Sequence, residues 1–125
     1  MKTTINPENA PKTIGPYSQA VEINGMLFLS GQLPIHPETN KIEASDIKGQ
    51  ALQAMENIKE IVTNAGYKME DIVKCTCFLA DMSDFVAFNT VYADYFQGNY
   101  PARAVVNVKA LPLGALLEVD AIVIR

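Results

Sequence analysis

Two β-prone runs late in the chain, residues 102–108 and 117–124, carry apolar side chains on both of their faces, although one of these faces also carries charged residues. Successive side chains of a strand point to opposite faces, so each run divides into two sets. The face that includes Arg103 and Glu118 is too apolar at Val105, Ile122 and Ile124 to be expected to meet water. The sets expected to face helices are Ala104, Val106 and Val108 in the first run, and Leu117, Val119, Ala121 and Val123 in the second.

The spacing of apolar residues predicts two helices, over residues 46–65 and 84–96. The first carries a clear apolar stripe, and the second carries an aromatic one that is interpreted as core packing. That aromatic stripe consists of Phe85, Phe88, Tyr92 and Tyr95. The expected boundary residues are Ser45 or Asp46 and Gly66 for the first helix, and Ser83 and Gly98 for the second.

Three further strands are predicted, over residues 20–24, 26–30 and 72–79. The Asn24-Gly25 pair between the first two is a strong hairpin signal. The first 19 residues are predicted to form an irregular arm. The order is therefore ββαβαββ, an α/β (α+β) layered fold with one sheet and both helices on a single face. A chain of 125 residues is expected to form one domain over residues 1–125.

Two helices cannot cover both faces of a five-stranded sheet, so the second face is expected to pack against other copies of the chain. Arg103 and Glu118 are assigned to this face, on neighbouring strands. They are then expected at or near a subunit junction, which is a common position for a ligand cleft.

Composition argues against several classes of partner. The net charge is −4, and the ten lysine and arginine residues are scattered, which does not favour nucleic-acid binding. No run approaches the ~20 apolar residues that span a bilayer, so no membrane association is predicted. The first residues lack the patterns of secretory and transit peptides, so a cytoplasmic location is expected.

No cofactor or metal is predicted. Glycine-rich phosphate-binding motifs do not occur, and His36 is the only histidine, predicted to lie in a loop. Cys75 and Cys77 lie two residues apart on a predicted strand, so a disulfide is not expected. Two thiols without further ligands also make a poor zinc site, so both are interpreted as core residues.

The residues left to carry chemistry are Arg103, Glu118, Tyr17 and the Ser30-Gly31-Gln32 segment. A guanidinium matches a carboxylate, and a glycine allows the close approach of a substrate to the backbone. The residue pattern alone favours the alternative in which Arg103 and Glu118 form an interface salt bridge.

Four segments together resemble the RidA (YjgF) family. They are PARAVVNVKAL at residues 101–111 with the following Leu117-Glu118-Val119, IGPYSQA at 14–20, FLSGQ at 28–32, and residues 57–66 with the following DIVK. The segments occur in order and span nearly the whole chain. Val105 departs from the cysteine found in many members, so thiol-dependent behaviour is not transferred.

The resemblance implies a chorismate-mutase-like fold and a homotrimer with a central barrel and clefts between subunits. It implies hydrolysis of 2-iminobutanoate and 2-iminopropanoate to 2-keto acids and ammonia. Arg103 matches the carboxylate-binding arginine and Glu118 matches the glutamate that holds the attacking water. Tyr17, Gly31 and Asn89 match positions that line the pocket.

Two alternatives belong to other classes of protein. One is a non-catalytic protein, chaperone-like or binding small carboxylates, that uses the same cleft. The other is an endoribonuclease or translation inhibitor, which the acidic net charge and the lack of a histidine pair disfavour.

Overall fold

The computed structural model describes all 125 residues. The chain forms one mixed sheet and two helices. The strands are β1 (Thr3–Ile5), β2 (Ala20–Ile23), β3 (Met26–Gln32), β4 (Ile72–Leu79), β5 (Ala102–Asn107) and β6 (Leu117–Ile124). The helices are α1 (Ile47–Asn64) and α2 (Phe85–Asp94). The strand order in the sheet is β1-β2-β3-β6-β4-β5, in which only β4 and β5 are parallel.

The predicted order of elements is confirmed, with one addition at the beginning of the chain. Residues 3–5 were expected to be irregular, but they form β1, which pairs antiparallel with β2. This strand is short and largely exposed. It forms because the free edge of β2 offers unpaired backbone groups, a condition that the residues of β1 themselves do not reveal.

The local signals of the hairpin and of α1 act as predicted. Asn24 and Gly25 have φ values of 51° and 74°, the left-handed pair that a two-residue hairpin turn requires. Asp46 caps α1 by accepting a hydrogen bond from the Gly49 amide, and Gly66 has φ 87° just beyond its end. The buried stripe of α1 packs against β3 and β6.

Helix α2 is shorter than predicted and is approached differently. A 3₁₀ turn over Met82–Asp84 precedes it, and the Asp81 side chain accepts from the Ser83 amide. Ser83 is therefore not the cap that the sequence suggested. The helix lies in the connection between β4 and the parallel β5, because parallel strands need a crossover and cannot be joined by a tight turn.

Both helices lie on the same face of the sheet and share one core, as predicted. Cys75 and Cys77 of β4 are fully buried in this core together with residues of both helices. Burial raises the pKa of Cys75 to about 11 and that of Cys77 to about 12. The two residues therefore remain protonated, unreactive thiols, and the interpretation as core residues is confirmed.

The faces of β5 are the reverse of those predicted. Cys75 pairs in register with Arg103 and Cys77 with Val105, so Arg103 and Val105 face the helices. Ala104 and Val106 face the other way. The prediction was wrong because alternation favours burial of the more apolar set, whereas here the set with Arg103 faces the helices. The Arg103 guanidinium is accommodated there by a hydrogen bond to Asn89 of α2.

Glu118 lies on the opposite face from Arg103 and not on the neighbouring strand. It pairs in register with Phe78 of β4, and β4 separates β6 from β5. The face of the sheet that carries Glu118 is not covered by the helices, and apolar side chains on it are exposed to solvent, among them Phe28, Val106 and Ile124. We call this the open face. No helix in the structure is long and apolar enough to cross a bilayer.

Arg125 joins three elements at one end of the sheet. Its guanidinium lies 4.2 Å from the ring centroid of Tyr67, and its Nη1 donates to the Gly66 carbonyl at 2.6 Å. Its Nη2 is 3.9 Å from a carboxylate oxygen of Glu22 on β2. The side chain therefore links the end of β6, the turn after α1 and β2.

We expect Arg125→Ala to lower the free energy of unfolding by about 1–2 kcal/mol, because the cation–π contact and the hydrogen bond are both lost. Urea unfolding at a fixed subunit concentration measures this. Lys68→Ala is the control, because the Lys68–Glu70 ion pair is exposed on both sides and should contribute little. Equal midpoints for the two variants would contradict the linking role of Arg125.

Candidate functional site

Arg103 lies in a cleft at the β5 edge of the sheet. The preceding Pro101 ends the loop after α2, and β5 then directs the Arg103 side chain toward that helix. The cleft has a volume of about 340 Å³. Its lining residues are Asn89, Tyr92, Ala93, Tyr100, Pro101 and Arg103.

The guanidinium of Arg103 is held by neutral groups. Its Nη1 donates to the Asn89 Oδ1 at 2.8 Å. Its Cζ lies 4.7 Å from the ring centroid of Tyr92 and 5.8 Å from that of Phe85. The ion pairs of the chain are Lys68–Glu70 and Arg125–Glu22, so no carboxylate pairs with Arg103. A guanidinium has several N–H donors, and most of these remain available to an anionic ligand.

Glu118 and Gly31 form a second group of site residues, on the open face. Gly31 lies where the register of β3 with β6 shifts. A Cβ atom at this position would lie 2.5 Å from the Glu118 Oε2 and 2.7 Å from its Cδ. The Glu118 carboxyl group therefore packs directly against the backbone, and a side chain at position 31 would displace it. Sequence reasoning had assigned the glycine to the approach of a substrate.

The carboxyl group of Glu118 is half-buried. This burial raises the pKa of Glu118, and repulsion from Asp120 raises it further. Asp120 is itself fixed, because it accepts a hydrogen bond from the Thr76 amide at 2.7 Å. A carboxylate with a raised pKa is a stronger base toward a bound water molecule.

Tyr17 belongs to the arm that precedes β2 and is exposed. The arm is held to β3 by Ser30, whose hydroxyl donates to the Ser18 carbonyl at 2.6 Å and whose amide donates to the Gln19 carbonyl at 2.9 Å. Tyr17 is thereby placed on the β3 side of the sheet, with Gly31 rather than with Arg103.

The structure thus brings the predicted residues together in two half-sites. The arginine half-site contains Arg103 and Asn89, and the glutamate half-site contains Glu118 and Gly31, with Tyr17 on the same side. Two strand spacings, about 10 Å, and a further ~10 Å along the strands separate the backbones of Arg103 and Glu118. Their side chains also point to opposite faces, so the two residues form no salt bridge within one chain.

Phe85 and Tyr92 are contacts of Arg103 that sequence reasoning missed. Phe85, Asn89 and Tyr92 are spaced i, i+4, i+7, so they share one face of α2. This spacing was visible in the sequence but was interpreted as core packing only. Core packing itself is confirmed for the whole aromatic stripe, since Phe88 and Tyr92 are buried in the core and the other two rings pack against it. His36 has the predicted loop position, where its Nδ1 accepts from the Glu38 amide.

Fold and site define an α+β protein with a six-stranded mixed sheet and a half-buried, unpaired arginine at the sheet edge. A family model described as Endoribonuclease L-PSP matches residues 7–125. A RutC family protein of Pyrococcus horikoshii is 51% identical over 122 residues, covering 98% of this chain and 97% of the relative. The chain therefore belongs to the Endoribonuclease L-PSP family, and the predicted RidA (YjgF) resemblance is confirmed.

Other relatives connect the family with reactive intermediates and with small ligands. The Escherichia coli K12 protein named "Putative reactive intermediate deaminase TdcF" is 44% identical over 128 residues, covering 100% of this chain and 98% of the relative. The crystal structure of E. coli TdcF with bound serine has a TM-score of 0.94 at 41% identity, over 98% of each chain. RidA from an Antarctic Psychrobacter has a TM-score of 0.95 at 41% identity, over 98% of this chain and 99% of that one.

We expect Gly31→Ala to fold normally but to displace the Glu118 carboxyl group, because the atoms that a Cβ would meet belong to a flexible side chain. If Glu118 has the water-holding role that is proposed in the next subsection, imine turnover should fall ~10- to 100-fold, because small displacements of such a group are costly. A crystal structure of the variant checks the displacement. The control is Gly98→Ala, where a Cβ would meet no atom within 4 Å, while the positive φ of Gly98 adds backbone strain that Gly31→Ala does not impose. Loss of turnover in Gly98→Ala alone would contradict this role of Gly31.

Proposed function

We propose that this chain hydrolyses 2-imino acids such as 2-iminobutanoate and 2-iminopropanoate to 2-keto acids and ammonia. It would do so in the cytoplasm as a homotrimer of single-domain subunits, without metal or cofactor. The observation that carries the proposal is Arg103, a half-buried guanidinium that lies in a cleft without any carboxylate partner. The serine bound by E. coli TdcF also carries a carboxylate, which supports a ligand of this class.

Arg103 would bind the substrate carboxylate. Asn89 occupies a single N–H of the guanidinium, which leaves enough donors for a paired contact to two carboxylate oxygens. The cleft beside it has the size for a small molecule of a few carbon atoms. Fixing the carboxylate also fixes the adjacent C2 atom, which is where water must add.

Glu118 would hold the attacking water and accept its proton. A protonated imine is already electrophilic at C2, so addition of water gives a tetrahedral carbinolamine. Transfer of a proton to its nitrogen allows ammonia to leave and the 2-keto acid to form, and the atoms balance with one water consumed. This chemistry demands a positioned water and a base, which agrees with a site of so few charged groups.

The two half-sites support a cleft shared between subunits. Within one chain Arg103 and Glu118 lie on opposite faces of the sheet, too far apart to act on one small substrate. The apolar open face that carries Glu118 has the character of a surface buried against another copy. The Arg103 edge of one subunit would then complete the Glu118 side of the next.

A release assay tests the proposal against its alternatives. Threonine dehydratase generates 2-iminobutanoate, semicarbazide traps the free imine, and the formation of 2-oxobutanoate is followed with and without this protein. Acceleration supports the deaminase. Binding of 2-oxobutanoate without acceleration would support a non-catalytic carboxylate-binding protein. Cleavage of RNA without acceleration would favour the activity named in the family description.

We expect Arg103→Ala to lower kcat/KM by ~30- to 5,000-fold, because losing one side of a partly buried charge pair costs roughly 2–5 kcal/mol. Arg103→Lys should recover only part, since an ammonium cannot make the paired contact. The oligomeric state of each variant is measured in parallel by light scattering. An Arg103→Ala protein that is trimeric and fully active would overturn the assignment.

Mixed trimers test whether the site is shared. Arg103→Ala and Glu118→Gln should each be nearly inactive as homotrimers, the second because Gln cannot accept a proton, a loss of ~10²- to 10⁴-fold. In trimers refolded from an equal mixture, about a quarter of the sites combine an intact Arg103 with an intact Glu118 from different subunits. We expect about a quarter of the wild-type activity. If the mixture is as inactive as its components, the two residues do not act across an interface.

A further inference from the structure

Helix α2 surrounds the guanidinium of Arg103 on one side. Phe85, Asn89 and Tyr92 lie on one face of this helix and all contact Arg103. Tyr92 is the closer of the two rings, with its centroid 4.7 Å from the Arg103 Cζ against 5.8 Å for Phe85. Arg103 is therefore held by one amide oxygen and the faces of aromatic rings.

The Tyr92 ring is itself rigidly held. It is only 4% exposed and packs against Phe88 at 5.6 Å and Phe96 at 4.8 Å between centroids. Its hydroxyl is buried without a hydrogen bond of standard geometry, next to the Cys75 thiol. Burial raises the pKa of Tyr92, so the ring stays neutral. The attraction between Tyr92 and Arg103 therefore comes neither from the hydroxyl nor from a negative charge on the ring. It comes from the face of the aromatic ring.

A ring face fixes an arginine in a way that a carboxylate does not. An acidic partner would occupy the N–H donors of the guanidinium and neutralise its charge. An aromatic ring attracts the cation over its face but leaves the N–H groups in the guanidinium plane free. A long side chain with many rotamers is thereby restricted to one position while its donors stay available.

We propose that Tyr92 is a positioning residue, whose ring holds the Arg103 guanidinium in the orientation in which its free N–H donors receive a ligand carboxylate. The proposal rests on the proposed function only in taking that ligand to be a 2-keto or 2-imino acid. A role of Tyr92 in core packing alone would leave Arg103 and its ligand unaffected, apart from a general loss of stability.

Three variants separate these roles. Tyr92→Phe keeps the ring and removes the hydroxyl. Tyr92→Met fills similar space with a flexible side chain but removes the ring. Phe96→Met is the matched control, because Phe96 is equally buried, at 6% exposure, and packs on Tyr92 but does not line the cleft.

The first readout does not depend on activity. In a ¹H–¹⁵N spectrum of the intact protein, the Nε–Hε resonance of Arg103 is identified by its loss in Arg103→Lys. A guanidinium over a ring face should show an upfield ring-current shift. We expect that shift in the wild type, Tyr92→Phe and Phe96→Met. In Tyr92→Met most of it should be lost, because only the more distant Phe85 ring remains. Titration with 2-oxobutanoate should move the resonance, more weakly in Tyr92→Met.

The second readout is the imine assay. Tyr92→Met should raise KM by about 3- to 30-fold with a smaller change in kcat, which corresponds to about 0.7–2 kcal/mol at 1.4 kcal/mol per decade. Tyr92→Phe and Phe96→Met should both have the KM of the wild type.

The outcomes that would overturn the proposal are distinct from failure of the proposed function. A wild-type Arg103 resonance without a ring-current shift overturns it even if Tyr92→Met does not fold. If KM rises as much in Phe96→Met as in Tyr92→Met, Tyr92 has a role in core packing only. A wild-type protein that lacks imine turnover but shows the ring-current shift and 2-oxobutanoate binding would refute the deaminase and support the positioning role.

Discussion

The register of β4 with its two neighbours determines where each charged side chain of the site lies. Cys75 pairs with Arg103 on one side, and Phe78 pairs with Glu118 on the other. Because strand side chains alternate with a period of two, a slip of one residue in either pairing would move a charge to the opposite face. The buried side chains on the helix face of β6 oppose such a slip, since it would expose them and bury Glu118. In β5 the slip would remove Val105 from the core. The division into two half-sites follows from this register.

The parts of the fold that could be predicted are those specified by neighbouring residues. The hairpin at Asn24-Gly25 and the ends of α1 at Asp46 and Gly66 depend on local backbone geometry, which residue type reveals. Whether β1 forms, and which side chains of β5 point toward the helices, depend on the strand or helix that lies alongside. In β5 alternation favours the wrong face, because the set that contains Arg103 is the more polar one and yet faces the helices.

The candidate site was predictable in its residues but not in its arrangement. Arg103 and Glu118 stood out as charged groups in apolar strands, and the resemblance to a family assigned their roles. The sequence could not show that β4 separates them, because strand order is not encoded in any single segment. For Gly31 the structure adds a second role, since the Glu118 carboxyl group packs directly against its backbone, and the approach of a substrate stays a prediction. Tyr92 was overlooked because a ring can belong to the core and contact a cation at the same time.

Each half-site contains a charge that the chain leaves without an opposite partner. Arg103 is half-buried beside rings and one amide, and Glu118 is half-buried beside another carboxylate, which raises the pKa of Glu118. Removing such charges from water without pairing costs free energy, and the cost is reduced when opposite charges approach each other. In the proposed trimer the arginine edge of one subunit and the glutamate face of the next would reduce each other's cost. A direct ion pair would close the site, so an intervening substrate, with its carboxylate toward Arg103 and a water toward Glu118, is the arrangement that satisfies both.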